Sequence, residues 1–290
     1  MSTPIATPRI WLITGSSSGF GRYVTELALL KGDYVIATLR KPEALNDLRE
    51  STSAERLLVL KVDVTKEEDV IDAFATAKKK FGRIDIVYNN AGYGLGSVVE
   101  STPDDAARAI FETNFWGAAR VNREAIRFFR DTNSGGVGGR LIVVSSLVGI
   151  YPLTNLGHYS ATKHALEALT QTMAQELDPG WNIKVSIVEF GSFRTSGLLD
   201  LPLIPTPEVY QSLTSGLSRS GRLYEGAHNG IKLGDPRKGA GKIYELSTLE
   251  NPPLRLPLGH DSIQYIRKQL DSIASDLEGY EGWSADVVEQ

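Results

Sequence analysis

The chain has no cysteine anywhere in its 290 residues. That excludes disulfides and thiolate chemistry, and with them a small cross-linked secreted scaffold. An excess of one charge is lacking too: the net charge is −4 with both signs scattered, so no nucleic-acid partner is expected. The basic cluster Lys78-Lys79-Lys80 falls at the end of a helical pattern, where cations suit the helix dipole. Long apolar runs are missing as well. The longest, Leu141–Leu153, is broken by Ser145, Ser146 and Gly149, and is too short and polar to span a bilayer. Met1–Pro8 shows no basic segment followed by an apolar one, so a signal peptide is not expected and a cytoplasmic location is. The four histidines, His158, His164, His228 and His260, have no metal-ligand spacing, and no metal is expected.

What is present is an alternation of short apolar runs with longer helical periods, the pattern of βαβ units. Strands are predicted at Arg9–Thr14, Asp33–Thr38, Leu57–Val62, Ile84–Asn89, Arg140–Ser145 and Asn182–Glu189. Helices are predicted near Phe20–Lys31, Glu67–Phe81, Asp104–Arg130 and Gly157–Leu177. Right-handed crossovers stack these into an α/β fold, a Rossmann-type doubly wound parallel sheet with helices on both faces. A hydrophobic share of 41% is ample for one large core, and the whole chain reads as a single domain. Regularity stops after Glu189. Residues 192–235 are rich in Gly, Ser, Pro and Leu, with a weak helical pattern near Pro207–Arg219, and read as a substrate lid inserted toward the C-terminus. Order resumes with Pro236–Leu249, Leu254–Leu258 and a final helix Ile263–Leu277, and residues 279–290 read as a tail.

Thr14-Gly15-Ser16-Ser17-Ser18-Gly19-Phe20-Gly21 joins the first strand to the first helix. Glycines there let the backbone turn sharply and approach a pyrophosphate at a helix N-terminus. The spacing is G-x-x-x-G-x-G rather than G-x-G-x-x-G. Near the end of the second strand, where an acid would grip a ribose 2′-hydroxyl, Leu39 and Arg40 stand instead, and no Asp or Glu lies between Asp33 and Glu43. An arginine at that place accommodates a 2′-phosphate, so NADP(H) is the expected cofactor.

Tyr159 and Lys163 are four apart in a helical stretch and share a face. In a chain of this composition the pairing is expected roughly 0.5 times by chance, so alone it decides nothing. Its chemistry is apt: a tyrosine acting as a base at neutral pH needs its pKa lowered by roughly 3 units, which a nearby ammonium in a dry pocket beside a cationic nicotinamide can supply. Ser146, just past an apolar strand, offers a hydroxyl to a substrate carbonyl.

Taken together, these motifs resemble those of the ordinary, non-extended short-chain dehydrogenases/reductases over roughly Arg9 to Thr195. The turn Thr14–Gly21 is similar to that family's T-G-x-x-x-G-x-G, and Asn89-Asn90-Ala91-Gly92 to its N-N-A-G. Asp63-Val64 resembles its adenine-binding pair, and Asn114, Ser146, Tyr159 and Lys163 resemble its catalytic tetrad. The resemblance implies a seven-stranded sheet and hydride transfer between nicotinamide and a carbonyl or alcohol substrate. By the same resemblance Tyr159 protonates the nascent alkoxide, Ser146 orients the carbonyl, Lys163 holds the ribose, and Asn114 anchors a water leading to Lys163. Gly15, Ser17, Ser18, Gly19, Phe20, Gly21, Arg40, Asp63, Val64, Asn90, Ala91, Gly92 and Thr195 then contact the cofactor, as do Tyr159 and Lys163. One departure stands out: Phe190-Gly191 occupies the place of the family's Pro-Gly. Leu198, Leu199, Leu201, Leu203 and Ile204 in the lid suggest a bulky, largely apolar carbonyl compound. A homodimer or homotetramer is expected. Two other readings stay open, a sugar-nucleotide epimerase or dehydratase on the same fold, which the glycine spacing disfavours, and a catalytically idle NADP(H)-binding regulator.

Overall fold

Ile10-Trp11-Leu12-Ile13-Thr14 is buried at every position, and a strand buried on both faces belongs at the middle of a parallel sheet. The computed structural model, which describes residues 7–133, 135–211, 233–285 and 287, places it there as β1 (Ile10–Thr14). The others are β2 (Tyr34–Leu39), β3 (Leu57–Lys61), β4 (Ile86–Asn89), β5 (Gly139–Ser146), β6 (Ile183–Phe190) and β7 (Arg255–Leu258). They form one parallel sheet of seven strands in the order β3-β2-β1-β4-β5-β6-β7. The predicted doubly wound sheet is therefore present, with strand ends displaced by one or two residues. The chain reverses direction across the sheet between β1 and β4, and a crevice opens at the C-terminal ends of those strands.

Helices cover both faces: α1 (Gly19–Leu30), α2 (Asn46–Ser51), α3 (Glu67–Phe81), α4 (Asp104–Phe111), α5 (Ala118–Asp131), α6 (Gly157–Gln175), α7 (Ser196–Leu199), α8 (Glu208–Gln211), α9 (Pro236–Leu246) and α10 (His260–Tyr280). Alternate strand residues feed two separate cores. Leu12, Ile36, Val87 and Leu141 pack with Phe74 of α3 and Val121 and Phe129 of α5. Trp11, Ile13, Val35 and Ile86 pack with Val24 and Ala28 of α1 and Ile243 and Leu246 of α9. The end charges of α3 suit its dipole: Glu67, Glu68 and Asp69 lie in the first turn, Lys78, Lys79 and Lys80 in the last, and Gly82 closes it at φ +76.

The single helix predicted over Asp104–Arg130 is interrupted. Between α4 and α5 the turns widen into a π segment, Glu112–Gly117. Two contacts explain the widening. Gly117 lies so close to Val64 that an added Cβ would sit 2.8 Å from Val64 Cγ2, and the fully buried Asn114 side chain turns inward three residues earlier. The final helix also differs, running to Tyr280 and followed by a short 3-10 turn, Glu281–Ser284. Of the predicted lid, residues 192–211 and 233–235 are described and 212–232 lie outside the described residues. Among the described residues no helix is long and apolar enough to cross a membrane, and no cluster of His, Asp or Glu is arranged to hold a metal.

Candidate active site

At the end of β1 the chain turns through Gly15 at φ +68 and Gly19 at φ +54, left-handed conformations that favour glycine. An added Cβ on Gly21 would lie 2.2 Å from the Gly15 carbonyl oxygen, so helix and turn meet at backbone contact. Ser18 precedes α1 without capping it through its side chain, and no acid lies in the first turn. The N-terminal amides of α1 are thus left for an anion. Thr14 ties this turn to β4: its Oγ1 accepts from the Asn90 (2.9 Å) and Ala91 (3.0 Å) amides and donates to Asn89 Oδ1 (3.3 Å). Asn90 Nδ2 returns a bond to the Thr14 carbonyl at 2.9 Å.

The turn borders a cavity of about 950 Å³, at the upper end of the range of ligand pockets, roughly 300–1,000 Å³. It brings together Gly15, Ser17, Ser18, Gly19, Phe20, Arg40, Asp63, Val64, Asn90, Ala91, Gly92, Ser146, Tyr159, Lys163 and Thr195. Gly21 and Asn114 do not line it. Gly21 supports the turn from beneath, and Asn114 stands behind the wall, its Oδ1 accepting from the Tyr93 amide (3.0 Å) and its Nδ2 donating to the Tyr93 carbonyl (2.8 Å).

At one end Arg40 is exposed beside Asp63. Burial works against the Asp63 charge, but two hydrogen bonds from Thr65 and the nearby Arg40 cation hold its carboxyl below the ordinary value. At the other end Ser146 and Tyr159 line the wall together, and the Ser146 hydroxyl favours the ionised phenol. Among the described residues Ser146 Oγ makes long bonds, donating to the Phe190 carbonyl and accepting from the Val148 amide at 3.4 Å each, so it is easily recruited by another acceptor. Lys163 is buried one turn along α6 and donates to the Val144 carbonyl at 2.9 Å.

Burial pushes the Tyr159 phenol above its ordinary value, with the Ser146 hydroxyl acting the other way. Burial also lowers Lys163 to about 8 against the pull of Glu167. The ammonium nitrogen is 5.9 Å from the Tyr159 ring centre and bonded elsewhere, so the desolvation of the phenol prevails over its attraction.

Phe190, the departure from the family pattern, has a packing role. Its ring stacks on Phe20 at 3.9 Å and meets Phe193 edge-on at 5.6 Å, wedged against the first turn of α1. Asp261 Oδ2 accepts the Ser192 amide at 2.7 Å and fixes the turn that follows.

Sequence reasoning missed what lies behind the tetrad. Ser145 donates to Glu167, and Arg255 of β7 pairs with both Glu167 and Glu189. Both carboxylates are almost fully buried, and repulsion from Glu167 adds to burial in raising Glu189 to about 7. The only signal for Glu167 was its position four residues after Lys163. Thr14 was visible merely as the first letter of the glycine motif.

The signature of the family described as short chain dehydrogenase matches residues 9–200. An uncharacterized oxidoreductase of Schizosaccharomyces pombe is 38% identical over 278 residues, covering 96% of this chain and 91% of that one. A 3-ketodihydrosphingosine reductase of Bacteroides thetaiotaomicron is 31% identical over 253 residues, covering 87% and 88%. The crystal structure of a short-chain dehydrogenase from Streptomyces avermitilis superposes with a TM-score of 0.86 at 33% identity, covering 99% of this chain and all of that one.

Proposed function

The chain belongs to the short-chain dehydrogenase family of oxidoreductases, and we propose that it interconverts a carbonyl and an alcohol with NADP(H), Tyr159 being the proton donor. The observation that carries this reading is the Ser146–Tyr159 pair at one end of a cavity whose other end is a glycine turn at an open helix N-terminus. A nicotinamide dinucleotide bound there supplies the hydride. Ser17, Ser18, Gly19 and Phe20 line the cavity and would offer amides and hydroxyls to its phosphates, and Arg40 would take a 2′-phosphate. Ser146 donates to the substrate carbonyl, and Tyr159, uncharged at neutral pH because its phenol is pushed upward, gives its proton to the oxygen as negative charge develops. Lys163 holds the ribose, and Asn114 keeps Tyr93 and Gly92 in place through the wall.

Leu153, Leu156, Leu198, Leu201 and Pro202 line the same cavity as Tyr159. An apolar wall of that extent supports a bulky, largely apolar ketone or aldehyde, in keeping with the keto substrate in the name of the Bacteroides relative. The Gly94–Ser97 loop is clasped to residues 202–204 by the Gly96 amide on the Pro202 carbonyl and the Ile204 amide on the Gly96 carbonyl, 2.8 Å each. This clasp supports residues 192–235 as a lid over the substrate.

Tyr159→Phe is the test. It keeps the ring and deletes the proton donor, so turnover should fall by about 10²–10⁴-fold while NADPH affinity stays within a few-fold. Lys163→Ala should lose binding and rate together. A Tyr159→Phe enzyme with more than about a tenth of wild-type turnover, chemistry being rate-limiting, would defeat the assignment.

A further inference from the structure

Lys163 and Glu167 lie one turn apart on α6 and reach consecutive residues of β5. The Lys163 ammonium donates to the Val144 carbonyl at 2.9 Å, and Glu167 Oε1 accepts from Ser145 Oγ at 2.5 Å. The next residue is Ser146. From there the chain turns through Leu147–Gly149 and comes back onto the same carboxylate. An added Cβ on Gly149 would lie 2.1 Å from Glu167 Oε1 and 2.6 Å from Ser145 Oγ, so the backbone there rests against their hydrogen bond. Ser146 is thus bracketed on both sides by one acid that stands behind the cavity wall. That acid is 2% exposed. A carboxylate so buried is costly unless paired, and Arg255 of β7 pairs with it and with Glu189 of β6. An apolar side chain would fill the same space without that cost, so the charge itself calls for a role.

We infer that Glu167 is a positioning residue for the tetrad: it fixes Ser146 by holding Ser145 and the turn at Gly149, and it sets a negative charge beside Lys163. This role presupposes that Ser146, Tyr159 and Lys163 carry out carbonyl reduction, and it adds a residue that touches neither substrate nor cofactor. The charge has a definite effect on Lys163. Burial lowers the ammonium to about 8, and Glu167 pulls it back up. The other ionisable groups facing the pair, among the described residues, are Tyr159 on α6, whose ring centre is 5.9 Å from the ammonium, and Glu189 and Arg255, which pair with each other. Gly92 and Asn114, which approach Lys163 from the β4 side, are neutral. Glu167 therefore keeps the ribose-holding ammonium charged to a higher pH than burial alone would allow.

Two variants separate the two parts of this role. Ser145→Ala deletes the donor and leaves the Glu167 charge. Turnover should fall on the order of 10–10²-fold as Ser146 loses its bracket, while NADPH affinity and the Lys163 titration stay where they are. Glu167→Gln keeps an acceptor for Ser145 and deletes the charge, and Arg255 retains Glu189 as its partner. Lys163 should then lose its proton at lower pH. Nuclear magnetic resonance of isotope-labelled lysine in the cofactor-free protein reads this directly, the resonance being assigned with Lys163→Arg. The alkaline limb of kcat/KM should move down with it. A Lys163 titration identical in wild type and Glu167→Gln overturns the inference. So does a Ser145→Ala enzyme within about twofold of wild-type turnover, or one whose NADPH affinity falls as far as its turnover. If Glu167→Gln does not fold, Ser145→Ala decides alone. The titration needs no turnover, so an unmoved Lys163 with an inactive Tyr159→Phe rejects Glu167 alone, and an active Tyr159→Phe rejects the proton donor alone.

Discussion

Arg40 stands exposed at the rim of the cavity with no ion-pair partner among the described residues, and its charge acts on Asp63 and Tyr93. A charge-assisted bond from it to a 2′-phosphate contributes about 1.5–3 kcal/mol, or about 10- to 150-fold in affinity. Arg40→Leu should weaken NADPH binding by that order and leave NADH nearly unchanged; equal losses in fluorescence titrations of both would show that Arg40 does not read the phosphate. The sequence singles out this residue because the chain lacks an acid where one would otherwise stand. Tyr159 was conspicuous as a position, while its surroundings were not. The spacing to Lys163 suggested a phenol drawn down by a cation, but spacing says nothing of where the lysine's hydrogen bond goes. It goes to the Val144 carbonyl.

Among the elements, strands were the easiest to read, because their apolar runs are bounded by turn residues and their length leaves little slack. The π segment was hidden. Glu112–Gly117 carries helix-forming residues on both sides, and nothing local records that Val64, just over fifty residues earlier, presses on Gly117. The same segment aims Asn114 at both backbone groups of Tyr93. Asn114→Ala removes both bonds, at about 1 kcal/mol because the half-exposed Tyr93 groups can turn to water. Thermal unfolding should therefore shift down by a few degrees, about 2–4 °C per kcal/mol for a chain approaching this size, and turnover should fall with it as the wall carrying Gly92 loosens. A melting curve and turnover both unchanged would remove Asn114 from the wall. The buried acids were beyond reach for a related reason: Glu167, Glu189 and Arg255 come from α6, β6 and β7 and meet only once the sheet is assembled.

For the molecule as a whole, that cluster makes stability depend on pH. Glu189 is raised from its ordinary value to about 7 by burial and by Glu167, so between the ordinary carboxylate range and 7 the folded chain keeps a proton that the unfolded chain has lost. Its contribution to stability is therefore present at low pH and is lost as pH rises through that window, by on the order of 2–3 kcal/mol. Glu189→Gln, which removes the charge and keeps the shape, should flatten the slope of unfolding free energy between mildly acidic and mildly alkaline buffer and stabilise the protein at pH 8. Chemical denaturation of both proteins at the two ends of the window measures it, and parallel slopes would reject the account.

The packing of α9 on α1 and on the adjoining sheet face carries a consequence for synthesis. Trp11, Val24 and Ala28 emerge from the ribosome early, yet Ile243 and Leu246, which cover them, follow roughly 200 residues later. At about 5–20 residues per second that delay is on the order of 10–40 s, during which the nascent sheet holds an open apolar face. Chains released before Pro236 should collect in the insoluble fraction or on chaperones that bind apolar surface. Supplying α9 as a separate peptide should return part of them to solution.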